Sequence, residues 1–560
     1  MNPRVTPSAG GLPAIDALLQ PFNRSDAPGL IVGIAQQGRT VYRRGVGMAC
    51  IEQGVAMQPR TRVRIASTSK HFTSLAVLLL AEDGRLDIDD PIHQHLPELA
   101  PLHPAGPTLR QLMQHTGGWR TDVATVAQGL ALEPLADWTQ PIPPATRSLN
   151  FEPGSRMIYS NTGYQLLARV VERISGQRFG DVLRERIFAP LGMGDTESVD
   201  SDFDIRPGMA LQYQALPAAV GGGLRRGMYP GELRGSGSLV STVDDMLRWL
   251  AHMRGAKKVL GSAQSWRQML ELPTLSTGTA LPYALGLFRH DYRGVEVVHH
   301  AGAVLGATSQ MISVPAQALD IMILCNGAPV SPVALGFQII DALLGDALAE
   351  PMAYVPSADH AALIGQRYHA PATGAVLGFE DAAGKLALSW FGGRAVPLRR
   401  MGDSAVLTCE DSALNPVSIA LDQLSGGASM TISDGGHRLH CERLPGSAPD
   451  GLAAELAGEL AGPWRSPDLE ADVRVLADGE AIMLRLQGVH GRNAYRLRPL
   501  SADVLLAEPE DPLFVAIGGG GTVNLERERE GEGGGGRVVA LRMDSSRMRQ
   551  LRFVRERGAA

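Results

Sequence analysis

Ser67-Thr68-Ser69-Lys70 sets a hydroxyl and an amine three residues apart, the spacing at which side chains meet on one face of a helix. A serine hydroxyl is a weak nucleophile until a base takes its proton, and a lysine lowered by burial and neighbours can serve as that base. The rest of the chain makes this lysine conspicuous. Beyond Lys70 the sequence holds only Lys257, Lys258 and Lys385, while arginine, which does not deprotonate in proteins, carries nearly all other positive charge. Taken alone, the tetrapeptide is equally an N-cap serine followed by a solvated lysine, because short S-x-x-K matches arise by chance. Ser69, at i+2 from Ser67, faces elsewhere and reads as structural.

The elements that must position these residues alternate between two periods. Gly29 to Ala35 and Thr40 to Val46 read as strands of a hairpin around Gln37-Gly38. After Ser67, apolar residues at Phe72, Leu75, Val77, Leu78 and Leu80 predict a helix that stops near Gly84. Asn161 to Ile174 predicts a second helix, closed by Ser175-Gly176, and Ser241-Thr242-x-Asp244 an N-cap opening a third. Strand patterns return at Val295 to Val298 and Met311 to Cys325, and a further helix fits Pro332 to Leu344. This order predicts an α+β fold over residues 1–347, an antiparallel sheet flanked by helices.

From about Gly345 the character changes. Glu350 to Asp359 is rich in Pro and Ala and reads as a linker; short β-like runs follow, punctuated by Gly and Asp. Leu363-Ile364-Gly365-Gln366-Arg367-Tyr368-x-x-Pro371 resembles Leu460-Ala461-Gly462-Pro463-Trp464-x-x-Pro467. Each copy continues through an alternating strand (Lys385 to Trp390; Ala481 to Leu486), a Pro-Leu pair and a closing strand (Arg438 to Arg443; Gln550 to Arg555). The repeat predicts two all-β barrel domains, residues 358–445 and 456–560, joined by Pro445 to Asp450. The charged run between Gly518 to Gly521 and Gly533 to Gly536 reads as a disordered turn.

Composition removes several function classes. A chain of 560 residues exceeds one ordinary core, so two to four domains are expected. Its net charge of −6 leaves no basic footprint, which argues against a nucleic-acid partner. Met1 to Pro13 lacks an apolar signal region, and stretches such as Leu75 to Ala81 are too short to span a bilayer. No membrane partner is therefore expected, and cytoplasmic residence is the default. Cys50, Cys325, Cys409 and Cys441 are scattered without metal-ligand spacing and read as buried, inert thiols. Tandem His299-His300 invites a metal reading, but neighbours on a strand point to opposite faces and no H-E-x-x-H accompanies them. No metal and no cofactor are expected.

Ser67 has company further along. Tyr159-Ser160-Asn161 precedes a helix, after the turn Phe151-Glu152-Pro153-Gly154, and His300-Ala301-Gly302 follows the strand Val295 to Val298. In this order the three motifs resemble the S-x-x-K, Y-x-N and H-x-G set of the serine β-lactamase and penicillin-binding-protein superfamily, in its class C-like and DD-peptidase-like branch. His115-Thr116-Gly117-Gly118, Gly237-Ser238-Leu239-x-Ser241-Thr242-x-x-Asp245 and Tyr283-x-Leu285-Gly286 also look like landmarks of that superfamily. Together they cover roughly Pro28 to Asn326.

The resemblance implies that Ser67 attacks a carbonyl, with Lys70 and Tyr159 sharing its proton; which of the two is the base stays open. It implies that Asn161 binds Lys70 and the substrate amide. His300 takes a place that lysine holds in many relatives, and the backbone N–H groups of Ser67 and Ala303, with Gly302 between His300 and the latter, form the oxyanion hole.

A catalytic domain followed by two similar barrels looks like the D-stereospecific aminopeptidase family, in which the last domain sends a loop into the active site. Ala507-Glu508-Pro509-Glu510-Asp511-Pro512 is the candidate loop here, with Glu508, Glu510 and Asp511 suited to an ammonium group. It is equally readable as an acidic surface turn, and it is shorter than that family's loop.

The implied function is a serine hydrolase cleaving amide or peptide bonds through an acyl-enzyme, as a D-stereospecific aminopeptidase or D-amino acid amidase. The alternatives are an esterase of the same fold, a penicillin-binding-type peptide thioesterase or cyclase, and a non-catalytic binding protein. A secreted β-lactamase is disfavoured by the barrels. Partners are confined to a small peptide, amide or ester substrate; a homodimer is allowed. A chain ended at about residue 350 is expected to keep the active site and to lose only the influence of the loop.

Overall fold

The computed structural model describes residues 11–99, 106–120, 149–218, 221–228, 233–408, 417–469, 471–488, 491–511, 520–528 and 536–555. Two compact units divide the chain. Of the described residues, the first holds 11–117 and 161–351; the second holds 118–120, 149–160 and 352–555.

The first unit is built on strands β1 (Leu30–Gln36), β2 (Arg39–Val46), β3 (Phe288–Tyr292), β4 (Val295–Val304), β5 (Ala307–Val314) and β6 (Leu319–Cys325). They form an antiparallel sheet in the order β3-β4-β5-β6-β1-β2, so the two ends of the domain meet where β1 pairs β6 from Leu30↔Cys325 to Gln36↔Leu319. That pairing joins residues almost three hundred positions apart, and no local pattern encodes it.

Helix α1 (Gly11–Leu19) and helix α5 (Pro332–Leu344) cover one face, packing Ile15, Leu335, Ile339 and Leu343 on Leu30, Val32, Ile34 and Ile321. Helix α4 (Val243–Arg254) lies on the other face, against Gly33, where an added Cβ would come within 2.9 Å of the Val243 Cβ. With both faces covered, every residue of β6 is buried, which explains its unbroken apolar run. Asp320 within that run is held by Arg254 at 3.0 Å and by the Ser313 hydroxyl at 2.8 Å.

Helix α2 (Lys70–Glu82) follows a single 3-10 turn, Ala66–Ser69, and lies beside helix α3 (Asn161–Ser175). The Tyr164 hydroxyl of α3 donates to the Met113 carbonyl at 2.6 Å. α4 opens with the expected cap, the Thr242 hydroxyl accepting from the Asp245 N–H at 3.3 Å. α2 is buried almost all round, from Lys70 to Leu80, so it is a core helix and not an amphipathic surface one.

The second unit carries two antiparallel β structures that follow the sequence repeat. A nine-stranded sheet runs from Arg367–Ala370 to His437–Arg443 in chain order. Its two edge strands, Val396–Pro397 and Arg399–Met401, are separated in sequence by Leu398 alone, so the sheet curls back almost onto itself. The second is a closed barrel of eight strands, from Gly462–Arg465 to Leu551–Arg555.

In both, the first strand pairs with the last: Tyr368↔Arg443 in one, Trp464↔Arg555 in the other. The repeated aromatics Tyr368 and Trp464 are both buried in their cores. Side chains including Leu484, Tyr495, Leu541 and Phe553 fill the closed barrel, as eight strands require.

Cys50, Cys325 and Cys441 are buried free thiols; Cys409 and residues 529–535 of the charged run lie outside the described residues. Among the described residues no helix is long and apolar enough to cross a membrane.

Candidate active site

The 3-10 turn explains why Ser67 and Lys70 meet. In a 3-10 helix residues i and i+3 eclipse, and the Lys70 Nζ lies 3.1 Å from the Ser67 Oγ. Ala66, immediately before the serine, has φ +48°, a left-handed conformation that costs a non-glycine residue about 1 kcal/mol. This sharp entry leaves Ser67 partly exposed while its neighbours Ala66, Thr68, Ser69 and Lys70 are buried. The Ser67 N–H falls in the first turn, where N–H groups lack intrahelical acceptors.

Lys70 is completely buried and donates to the Asn161 Oδ1 at 2.9 Å and to the Ser236 carbonyl at 2.7 Å. Those two partners can only accept, whereas the Ser67 hydroxyl can accept or donate. The same geometry therefore satisfies an ammonium donating to Ser67 and a neutral amine receiving the serine proton. Proton exchange between the two needs no side chain to move.

The turn is tied to the sheet by hydroxyls. Thr68 donates to the His300 carbonyl at 3.1 Å, and Ser309 on β5 donates to the Ile65 carbonyl at 2.7 Å. Ser69 accepts from the Leu239 N–H at 3.2 Å, in keeping with a structural part. Two glycines admit these approaches. At Gly302 on β4 a Cβ would collide with the Ile65 carbonyl oxygen; at Gly286 (φ +84°) it would come within 2.8 Å of the His71 nitrogen at the start of α2.

Gly302→Ala is thus expected to push the Ser67 turn off β4, costing about 3 kcal/mol of stability. Thermal unfolding followed alongside kcat/KM checks this. An unchanged Tm would show that the turn yields at no cost.

His300 lies on β4 with its Nδ1 at 2.5 Å from the Ala301 carbonyl and its Nε2 at 3.0 Å from the Tyr283 hydroxyl. Burial, and then the charge of Lys70, push its pKa down to about 3, so it is neutral at any working pH. Nδ1 then carries the proton and Nε2 accepts from Tyr283. A neutral imidazole here presents no fixed positive charge to a substrate, unlike a lysine. His71, beside Lys70, is stacked on Trp249 with ring centroids 5.2 Å apart, and burial holds it well below the usual histidine range.

β3 ends at Phe288 opposite His299, so among the described residues no strand pairs the same edge of β4 from His300 to Val304. Ala303 is exposed on that stretch. The tandem histidines have separate fates: the His299 Nε2 meets the His290 Nε2 at 2.9 Å, and no cluster of three potential metal ligands occurs among the described residues.

Ser67, Lys70, Asn161, His300, Gly302 and Ala303 all belong to the first unit, while Tyr159 belongs to the second, two residues before Asn161. Tyr159 is buried, with the Arg547 guanidinium over its ring at 4.9 Å. Ala507, Glu508 and Pro509 are the end of the strand Val504–Pro509 and not part of a loop, because the ladder with Gly491–Pro499 continues through Tyr495↔Pro509. Glu508 is paired with Arg498 at 3.0 Å, Glu510 is exposed with its N–H on the Ala494 carbonyl, and Pro512 lies outside the described residues. Tyr283 and Ser236, which bond His300 and Lys70, were not singled out for roles. Tyr283 was signalled only as part of a Tyr-x-Leu-Gly landmark.

A sequence profile described as Beta-lactamase matches residues 15–344, more than half of the chain. The chain belongs to the β-lactamase family. It is similar to the D-aminopeptidase of Brucella melitensis biotype 1, 26% identical over 508 residues that cover 88% of this chain and 90% of the relative. The D-aminopeptidase of Brucella anthropi is 27% identical over 512 residues, covering 86% and 87%. The octameric penicillin-binding protein homologue from Pyrococcus abyssi shares the fold, with TM-score 0.52 and 17% identity over 97% of this chain and all of that one. The chain is accordingly a hydrolase of the β-lactamase-like superfamily with β-barrel sheets in its C-terminal region.

Proposed function

We propose that this β-lactamase-family chain is a serine amidohydrolase acting on small D-amino acid amides or peptides, as a D-aminopeptidase or D-amino acid amidase. The observation that carries it is the Ser67–Lys70–Asn161 arrangement, in which a half-exposed hydroxyl faces a buried amine fixed by two acceptors. Ser67 Oγ attacks the carbonyl carbon as its proton passes to Lys70 Nζ. The oxyanion is met by the Ser67 and Ala303 N–H groups. The C–N bond then breaks, the leaving amine takes a proton exchanged through Lys70 and Tyr159, and water releases the acid from Ser67 by the reverse relay.

Neutral His300 favours a substrate without a carboxylate at that position. Similarity to D-aminopeptidases along nearly their whole length, barrels included, favours an amide with a free amine over a simple ester. No residue is assigned to the amine, since Glu508 is already engaged by Arg498.

D- and L-alanine p-nitroanilide, each with and without an N-acetyl group, test the reading against a Ser67→Ala control. Turnover of the free D substrate alone, lost in the variant, is the expected result. Turnover of p-nitrophenyl esters with none of the anilides cleaved would replace it by the esterase reading.

A further inference from the structure

Residues 149–160 are held by the C-terminal sheets through buried polar contacts. Asn150 donates to the Arg547 carbonyl at 3.1 Å and accepts from the Arg549 N–H at 2.8 Å. Both belong to one turn of the closed barrel, which is itself pinned: the Ser545 hydroxyl accepts from the Met548 N–H at 3.2 Å, and Asp544 accepts from the Gln550 N–H at 2.8 Å. From this turn the Arg547 side chain lies over the face of the Tyr159 ring, 4.9 Å from its centroid. A guanidinium at that distance, half-buried against a buried ring, is attracted to the π-face and more strongly to a phenolate.

We infer that Arg547 is a positioning residue for Tyr159, fixing its ring and favouring its deprotonated form. The inference rests on the proposed role of Tyr159 in proton exchange and deepens it: the last barrel supplies the charge that tunes this tyrosine. The other charged groups around the turn are Arg549, the Arg156–Asp434 pair and the Arg542–Asp544 pair.

Two readouts test this on the full chain. The phenolate absorbance of Tyr159, isolated as the difference between wild type and Tyr159→Phe, is titrated in wild type, Arg547→Ala and Arg547→Lys. Arg547→Ala is expected to raise the midpoint by about one pH unit and Arg547→Lys to restore most of it. In the anilide assay the acid limb of kcat/KM should move with it, about a tenfold loss at neutral pH that is recovered at alkaline pH. In a Tyr159→Phe background Arg547→Ala should add nothing.

An unchanged phenolate midpoint in Arg547→Ala, or an equal loss of rate with and without Tyr159, would overturn the inference. Wild-type turnover by Tyr159→Phe would instead overturn the role of Tyr159 itself. The contacts to Asn150 use backbone atoms of the turn, so the side-chain variants leave them in place.

Discussion

Ser67→Ala is expected to abolish anilide hydrolysis, lowering kcat by about 10⁴-fold or more, while Tm moves by little. The reason lies in what the hydroxyl touches. Its loss leaves Lys70 with the Asn161 Oδ1 and the Ser236 carbonyl, so no buried group is stranded, and the serine is the partly exposed member of its turn. Lys70→Met provides the contrast. It is expected to lower activity comparably but to cost about 1–3 kcal/mol, because the Ser236 carbonyl loses its Lys70 donor inside the core.

Intact-mass spectrometry with an acylating substrate checks the first variant directly. An adduct that still forms in Ser67→Ala, or activity within tenfold of wild type, would dismiss Ser67 as nucleophile.

Removing residues 352–560 is expected to lower kcat/KM by about 10²–10⁴-fold, the contribution typical of general acid–base catalysis. The sequence alone predicts that such a cut preserves the active site and disturbs only the C-terminal loop. The structure puts residues 149–160, which end on Ser160 beside Asn161, with the C-terminal sheets. Arg156 pairs with Asp434 at 2.9 Å, both side chains nearly fully buried, and Arg120 pairs with Asp468 at 2.7 Å. The Ser155 carbonyl accepts from His437 at 2.8 Å. Ending the chain at 351 strips each arginine of its carboxylate and Tyr159 of Arg547. A truncated chain that folds and turns over substrate at the full rate would show that Tyr159 keeps its place without them.

Much of the first unit was legible because it is local. The helix predicted from Ser67 is a 3-10 turn leading into Lys70–Glu82, and the helix predicted over Pro332 to Leu344 runs exactly there, since apolar period and caps lie within one stretch of chain. The S-x-x-K spacing made the Ser67–Lys70 contact legible as a possibility, since residues i and i+3 lie on one face of a helical turn. The barrel repeat was visible because Tyr368 and Trp464 must each fill a small core at the strand that closes it. The acidic segment misled. Glu508 in isolation reads as a loop carboxylate, and only its ladder partner on Gly491–Pro499 shows it as a strand residue engaged by Arg498.

The sequence by itself determined the chemistry on offer: a serine, a lysine one turn away, and a tyrosine, asparagine and histidine in a recognisable order. Tertiary structure decided what that chemistry works with. Ser236 O and Asn161 fix the lysine, and burial with Tyr283 makes His300 neutral. The tyrosine's segment rests on Asp434 and the Arg547 turn. Spacing along a helix is set by backbone geometry and can be read locally; protonation and side-chain orientation are set by partners hundreds of residues away, which only the folded chain brings within reach.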